Sequence, residues 1–561
     1  MTELLDVLGN GIVSLSDFIC GYPLFIWLIG GGLFLFIYSG AIPLRRLKWS
    51  MKALRSKTPS GEGQISSFQA LMSSICSTVG MGNIAGVAIA ISIGGAGAIF
   101  WMWVSALLGM ATKFFEGTLA IMYKGKDKEG NVHGGPMYML TEGLGKKYKP
   151  MAIFFAFFGM IGTLCFMQAN QLTESFITVL NVPDTFKFRL ITGIIMGAGV
   201  SIVVLGGITR ISKIATKVVP VMVGLYFLLV FIIIIANIHL IPKVFYNIVS
   251  EAFNFEAGFG ALAFIAITGA RRAMYVNEAG VGTASLMHGA SRNTSPVREG
   301  LVAMIGPAID SGLVCTLTAI PILMAMQVSP IEVEGIKGLY IALNSFETML
   351  PGWGQYALLV IVFIFAVTTM FSYSYYGTQC AGYLFGYKNG KYYDYFYLFM
   401  IIVACIISLD LLVSIMDLAF AFMAIPTMYA LFRLAPRVKK EMNIYFSKNK
   451  LEDYSQSFQS IQVKVKGCVA HATQPFLFLS PLQPIFNYNS LHNGSHTFLT
   501  LIERGNNLYV AGFEGETLTV YNLNGAVVLS QLVKSNNETV ALNAGVYVVK
   551  VADKDVKVVV K

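Results

Sequence analysis

Charged side chains are scarce in this chain. Of 561 residues only 12% are charged, 55% are hydrophobic, and the mean hydropathy is +0.65. A soluble domain carries about twice that charged fraction, so the composition asks for lipid as solvent. Histidine is sparse as well: His133, His239, His288, His471, His492 and His496 are the whole set. No HExxH or paired-aspartate motif falls among the apolar stretches, and a membrane-embedded enzyme would need metal ligands or a nucleophile with its base there. The seven cysteines have neither pairing nor metal-ligand spacing, and Cys76, Cys165, Cys315 and Cys405 lie in apolar runs, as buried free thiols do. The opening MTELLDVLGN lacks a basic n-region and a small-residue cleavage site, so no removable signal peptide is expected. The formal charge of +10 reads in such a chain as basic loops on one side of a membrane, not as nucleic-acid binding.

A helix crossing a bilayer needs about 20 predominantly apolar residues. Eleven stretches qualify, centred on Leu24–Ile42, Phe68–Ile93, Ala98–Met122, Met151–Val179, Leu190–Leu205, Ile214–Ile238, Phe259–Leu286, Leu301–Met326, Tyr356–Leu384, Tyr397–Leu409 and Leu411–Leu431. Basic residues follow every odd-numbered stretch: Arg45 and Arg46 after the first, Lys124 and Lys126 after the third, Arg210 and Lys213 after the fifth, Arg292 and Arg298 after the seventh, Lys388 and Lys391 after the ninth, Arg433 and Arg437 after the last. The opposite loops are poor in charge or acidic. The alternation predicts an all-α polytopic protein with its N-terminus outside and its C-terminus cytoplasmic.

Beyond about residue 440 the composition changes. Residues 441–506 are polar, with Pro475, Pro481 and Pro484 breaking short apolar pieces, and read as a linker or poorly ordered segment. From Asn507 the hydrophobic period becomes two, in LYVAGF, TLTVYNL, VVLSQLV, TVALN, VYVVKVA and VKVVV, separated by turn residues such as Asn524-Gly525 and Asn543-Ala544-Gly545. That pattern predicts a small antiparallel β-domain, a β-sandwich, over 507–561.

Two of the apolar stretches are interrupted. Gly80, Gly82, Asn83 and Gly86 fall in the middle of the second; Gly269, Asn277, Glu278, Gly280 and Gly282 fall in the seventh. Free backbone groups cost several kcal/mol in hydrocarbon, so an unwound stretch survives only against protein or a wet cavity. With the first stretch set aside, the breaks open two halves of five spans. An odd number forces opposite topology, and paired broken helices in inverted repeats point to a transporter's central site. A break frees carbonyls for a hard cation and N–H groups for a carboxylate. Gly80 and Gly82 let a ligand approach those N–H groups, while Thr368, Thr369, Ser372 and Ser374 supply hydroxyls from the ninth stretch. Oxygen-only ligation suits Na⁺. The bland readings are packing glycines at Gly30–Gly32 and Gly94–Gly97, a structural Lys113–Glu116 ion pair, and a gating or structural role for Asp310 as readily as ion coupling.

SSICSTVGMGNIAGVAIAI, MATKFFEGTLAIMY, HGGPMYML, QANQ, VNEAGVGTAS and TTMFSYSYYG together resemble the sodium:alanine (alanine or glycine:cation) symporter family, which has the leucine-transporter type of inverted-repeat fold. The resemblance spans roughly residues 10–440. It implies a secondary active symporter of a bacterial inner (plasma) membrane, coupling inward sodium flow to uptake of a small neutral amino acid by alternating access, with Na⁺ as coupling ion and no organic cofactor. By the same resemblance the substrate touches Thr78, Gly80, Met81, Gly82, Asn83, Gln168, Asn277, Thr369 and Tyr373. Sodium meets the carbonyls of Cys76 and Val79 and the hydroxyls of Thr368 and Thr369. The run Arg271–Val276 departs from the family's usual KRGLFS, and Tyr373 stands where many members carry Trp; both bear on pocket size. A proton- or sodium-coupled carrier of another small solute is the alternative on the same scaffold, and a membrane sensor using the β-domain is a further one. The β-domain's TVYNLNGAVVLSQL…GVYVVKVADKDVKVVVK pattern resembles the C-terminal sorting domain of Bacteroidetes secreted proteins.

Overall fold

The computed structural model describes residues 2–56, 61–127, 130–253, 259–329, 338–407 and 409–470, and beyond them 488–491, 499–504, 507–511, 515–522, 526–534, 537–543, 545–551 and 554–560. The expected turns at Asn524-Gly525 and at Ala544 lie outside the described residues. The chain forms two units, Met1–Gln456 and Ser457–Lys561.

The first unit is helical. Of its helices, those that bear on the argument are numbered α1 (Tyr22–Tyr38), α2 (Ser67–Thr78), α3 (Gly82–Gly94), α4 (Gly97–Met122), α5 (Lys146–Val179), α6 (Phe186–Val204), α7 (Gly207–Ala236), α8 (Phe259–Asn277), α9 (Thr283–Gly289), α10 (Pro296–Val328), α11 (Gly354–Phe385), α12 (Tyr393–Ile406) and α13 (Leu409–Ala470, of which 409–456 belong to this unit). Thr2–Ile19, Leu47–Arg55, Ile241–Ala252 and Gly338–Met349 are helical too. Among the described residues seven helices are long and apolar enough to cross a membrane, α4, α5, α6, α7, α10, α11 and the Leu412–Ser447 part of α13; counting α2 and α3 as one bent span makes eight. The remaining expected stretches coincide with shorter apolar helices (α1, α12) or with α8–α9, whose apolar run is interrupted by Arg271, Arg272 and Glu278.

Packing sorts these helices by what covers them. α4 and α10 interlock where a Cβ on Gly117 would lie 2.6 Å from Ala303 Cβ, the close backbone approach that small residues give membrane helices. The outer helices α6 and α7 leave Ile195, Ile202 and Ile235 between 58% and 70% exposed, a lipid-facing girdle for which water would be the wrong solvent.

Both breaks have local causes. α2 starts in a reciprocal cap, Gln69 N–H to Ser66 Oγ (3.2 Å) and Ser66 N–H to Gln69 Oε1 (2.9 Å). It stops when Val79 turns to φ −84°, ψ 94°, and α3 resumes with a wide π turn over Gly82–Gly86 at 57° to α2. At the second break Gly280 and Gly282 adopt φ of +89° and +101°, accessible to glycine without a Cβ penalty. Glu278 takes φ +52° there without that freedom.

The strap ahead of α2 is stitched to the turn after α9. Gln64 N–H donates to Ala290 O and Arg292 N–H to Ile65 O, both at 2.8 Å. Beneath them Glu299 is fully buried, 2.7 Å from His288 Nδ1 and accepting from Ser67 Oγ (2.6 Å) and Asn293 Nδ2 (2.9 Å). So dense a donor set is what makes an interior carboxylate tolerable.

The second unit holds β1 (Tyr488–Leu491), β2 (Leu499–Arg504), β3 (Asn507–Ala511), β4 (Thr517–Asn522), β5 (Val527–Leu532), β6 (Asn537–Ala541), β7 (Gly545–Val551) and β8 (Lys554–Val560). They form two four-stranded antiparallel sheets, ordered β8-β7-β4-β5 and β1-β2-β3-β6. Alternation turns Leu518 and Val520 inward on β4, both fully buried.

Candidate functional site

The break between α2 and α3 is the centre of the first unit, and its chemistry follows from two diverted hydrogen bonds. In a continuous helix Gly80 N–H would serve Cys76 O and Asn83 N–H would serve Val79 O. Instead Gly80 N–H donates to Asn83 Oδ1 at 2.8 Å, and Asn83 N–H reaches Gly80 O at 3.2 Å. The carbonyls of Cys76 and Val79 therefore lose their helical donors, and these are the two expected to ligate sodium.

α11 lies against that spot. Thr369 Oγ1 is 3.4 Å from Val79 O and donates to Phe365 O at 2.9 Å. Thr368 Oγ1 donates to Ile364 O at 2.8 Å, and the Cys76 thiol donates to Thr368 O at 3.1 Å. A Cβ on Gly80 would sit 2.7 Å from Thr369 Oγ1, so the absent side chain allows the contact. Ser372 Oγ bonds Ser73 O at 2.9 Å and Ser77 Oγ meets Tyr376 OH at 2.9 Å, fixing α11 to α2 along its length. The freed Cys76 and Val79 carbonyls and the Thr369 hydroxyl thus share one buried neighbourhood whose oxygens are compatible with a hard monovalent cation, while the Thr368 hydroxyl is turned to Ile364 O and lies 3.6 Å from Met222 Sδ.

Beside the break is a cavity of about 100 Å³ open to the centre of a water molecule, room for a solute of several heavy atoms rather than a single water. Of the residues expected at the substrate, Thr78, Gly80, Met81, Gly82, Gln168 and Tyr373 line it. Asn83, Asn277 and Thr369 stand behind the wall. Asn83 closes the break and ties it to α10 through Nδ2 to Asp310 O (3.1 Å). The Asn277 carboxamide accepts from Ala279 N–H (3.0 Å) and turns toward Gly109 on α4. Gln168 is 6% exposed and its Oε1 has no hydrogen-bond partner.

The cavity also meets Arg272, from the run expected to bear on pocket size, and Glu278, Asp417 and Phe420, which were not assigned to the site from sequence. Glu278 is 1% exposed; it accepts from Thr283 Oγ1 at 2.6 Å and from the Tyr373 hydroxyl. A carboxylate inside an apolar stretch, two residues before a glycine turn, was the available signal. Lys113 and Glu116 do not make the expected ion pair. Glu116 instead accepts from Gly280 N–H at 2.6 Å and lies 3.4 Å from Ser285 Oγ, bracing the second break from α4. Asp310, fully buried, meets the Ser311 N–H through one oxygen, and its other oxygen has no partner.

An unwound, bent span with released carbonyls, walled by a hydroxyl-bearing helix and opening on a small interior cavity, defines a multi-pass membrane transport protein. The chain belongs to the sodium:alanine symporter family, whose model matches residues 5–460. It is 37% identical over 442 residues to the sodium/alanine symporter AgcS of Methanococcus maripaludis, covering 77% of this chain and 96% of that one. It is 32% identical over 455 residues to the probable sodium/glutamine symporter GlnT of Bacillus subtilis, covering 79% and 92%. The crystal structure of MhsT in complex with L-phenylalanine shares the fold, with a TM-score of 0.51 at 13% identity over 66% of this chain and 89% of that one. A separate model, of a domain of unknown function, matches residues 495–560.

Proposed function

We propose that this chain is a secondary symporter that couples inward sodium flow to the uptake of a small neutral amino acid, alanine or glycine, by alternating access. The observation that carries the reading is the pair of diverted hydrogen bonds at the break, which strips the Cys76 and Val79 carbonyls of helical donors beside Thr368 and Thr369. Sodium is cargo at those four residues. The substrate carboxylate is met at Gly80–Gly82, where α3 begins and its dipole end is positive. An ion ordering Val79 also orders the adjoining N–H groups, so each ligand raises the other's affinity by the same factor. Eleven spans in a 5+5 inverted repeat, an outside N-terminus and a cytoplasmic C-terminus complete the reading.

A second substrate is favoured by one feature. Gln168 Oε1, buried without a partner at the cavity, is placed to accept an amide N–H, and a relative bears the name of a glutamine symporter. Proteoliposomes loaded with the purified protein decide the matter. Labelled alanine should accumulate only under an inward sodium gradient, with glycine competing; stronger competition by glutamine would move the substrate to the amide. Accumulation driven by a proton gradient without sodium would sink the sodium assignment.

A further inference from the structure

Three charged side chains line the cavity among the described residues, Arg272, Glu278 and Asp417. Arg272 stands in the field of Asp417, which also acts on Tyr275 beside it. Lys113 on α4 is the cation that acts on Glu278, and it acts on Glu116 and Asp310 as well. Among the described residues none of these three carboxylates has a cation within ion-pair distance, so Glu278 lies at the cavity without a directly bound counter-charge, in a medium where uncompensated charge is costly. Of the three, Glu278 alone lines the cavity. Thr283 and Tyr373 hydroxyls each occupy one of its oxygens, and a carboxylate has about four lone-pair sites, so acceptor capacity remains. Its backbone is held at φ +52°, a conformation costly for a non-glycine residue and typical of ligand clamps.

From this we infer that Glu278 binds the α-ammonium of the substrate, with Tyr373 and Thr283 as positioning residues that fix its carboxylate. The inference rests on the amino-acid reading above and adds to it the group that tells an amino acid from a hydroxy acid. The carboxylate end of the ligand goes to Gly80–Gly82, the ammonium to Glu278, and both ends belong to the same cavity wall. The selection is electrostatic: a cationic group supplies the direct counter-charge that Glu278 lacks, and a neutral hydroxyl of the same size does not.

The test compares L-alanine with L-lactate, which carries a hydroxyl in place of the ammonium, on the purified protein with ²²Na⁺ binding followed in parallel. In Glu278→Gln, alanine affinity should fall on the order of 100-fold, to the level of lactate, as happens when one member of a buried charge pair is neutralised. Lactate and ²²Na⁺ binding should stay within about threefold of the wild type, under 1 kcal/mol. Alanine affinity within that same range overturns the inference. So does equal weakening of both ligands, which marks a packing role, or loss of ²²Na⁺ binding, which makes Glu278 an ion ligand. Should the Gln variant not fold, Glu278→Asp retains the charge and must still prefer alanine over lactate; a folded Asp variant without that preference also overturns it. A wild type that binds sodium but no neutral amino acid removes the symporter reading itself, a result distinct from any of these.

Discussion

Gly80 and Thr369 occupy the same few ångströms, and each constrains what the other can be. Thr369→Val deletes the hydroxyl near Val79 O at nearly constant volume. The half-saturating sodium concentration should rise about tenfold, equivalent to one weak ligand of about 1.4 kcal/mol, with little change in alanine affinity at saturating sodium; an unchanged sodium curve removes Thr369 from the ion site. Gly80→Ala forces a Cβ to 2.7 Å from that hydroxyl and should lower stability by about 1–3 kcal/mol. The loss should shrink in a Thr369→Ala background, since the clashing atom is gone, and melting temperatures of the four proteins in the cycle measure it. Gly82 differs. A Cβ there meets only Val276 Cγ2 at 3.6 Å, so Gly82→Ala should be tolerated. Gly82→Leu should project into the cavity and abolish alanine binding with a near-native melting temperature.

At the level of elements, the two breaks are braced differently. The first is closed by its own Asn83; the second by Glu116, reaching from α4 to Gly280 N–H. Glu116→Ala should cost about 1.5–3 kcal/mol, the value of a charge-assisted bond, while Glu116→Gln keeps an acceptor and should cost less; thermal melts in detergent compare them. The breaks were legible in the sequence because glycine and asparagine in an apolar run have few explanations in lipid. Of the six cavity residues, Thr78, Gly80, Met81 and Gly82 lie on or next to the break itself, whereas Gln168 and Tyr373, far from it in sequence, are expected there only through the family resemblance. Which way a side chain turns within a break was not legible. Asn277 and Glu278 are sequence neighbours, yet one faces α4 and the other the cavity, because the chain enters the left-handed region between them. Asp417, 139 positions from Glu278 in sequence, joins the wall only through tertiary packing.

For the whole molecule, the alternation of basic loops sets a prediction that no side-chain contact tests. Lys388→Cys should be shielded from an impermeant thiol reagent in intact cells and labelled in permeabilised ones, whereas Asn181→Cys, on an exposed loop between α5 and α6, should label in both. The reverse pattern would invert the topology. The stitched strap between α2 and α9 acts at this scale too. Drawing those half-helices apart would strip Glu299 of Ser67 or of His288 and leave the carboxylate stranded in an apolar surround. In mechanical terms they are two handles on one lever, and a pull on either moves both. Either the two half-helices travel together or the knot at Glu299 comes undone.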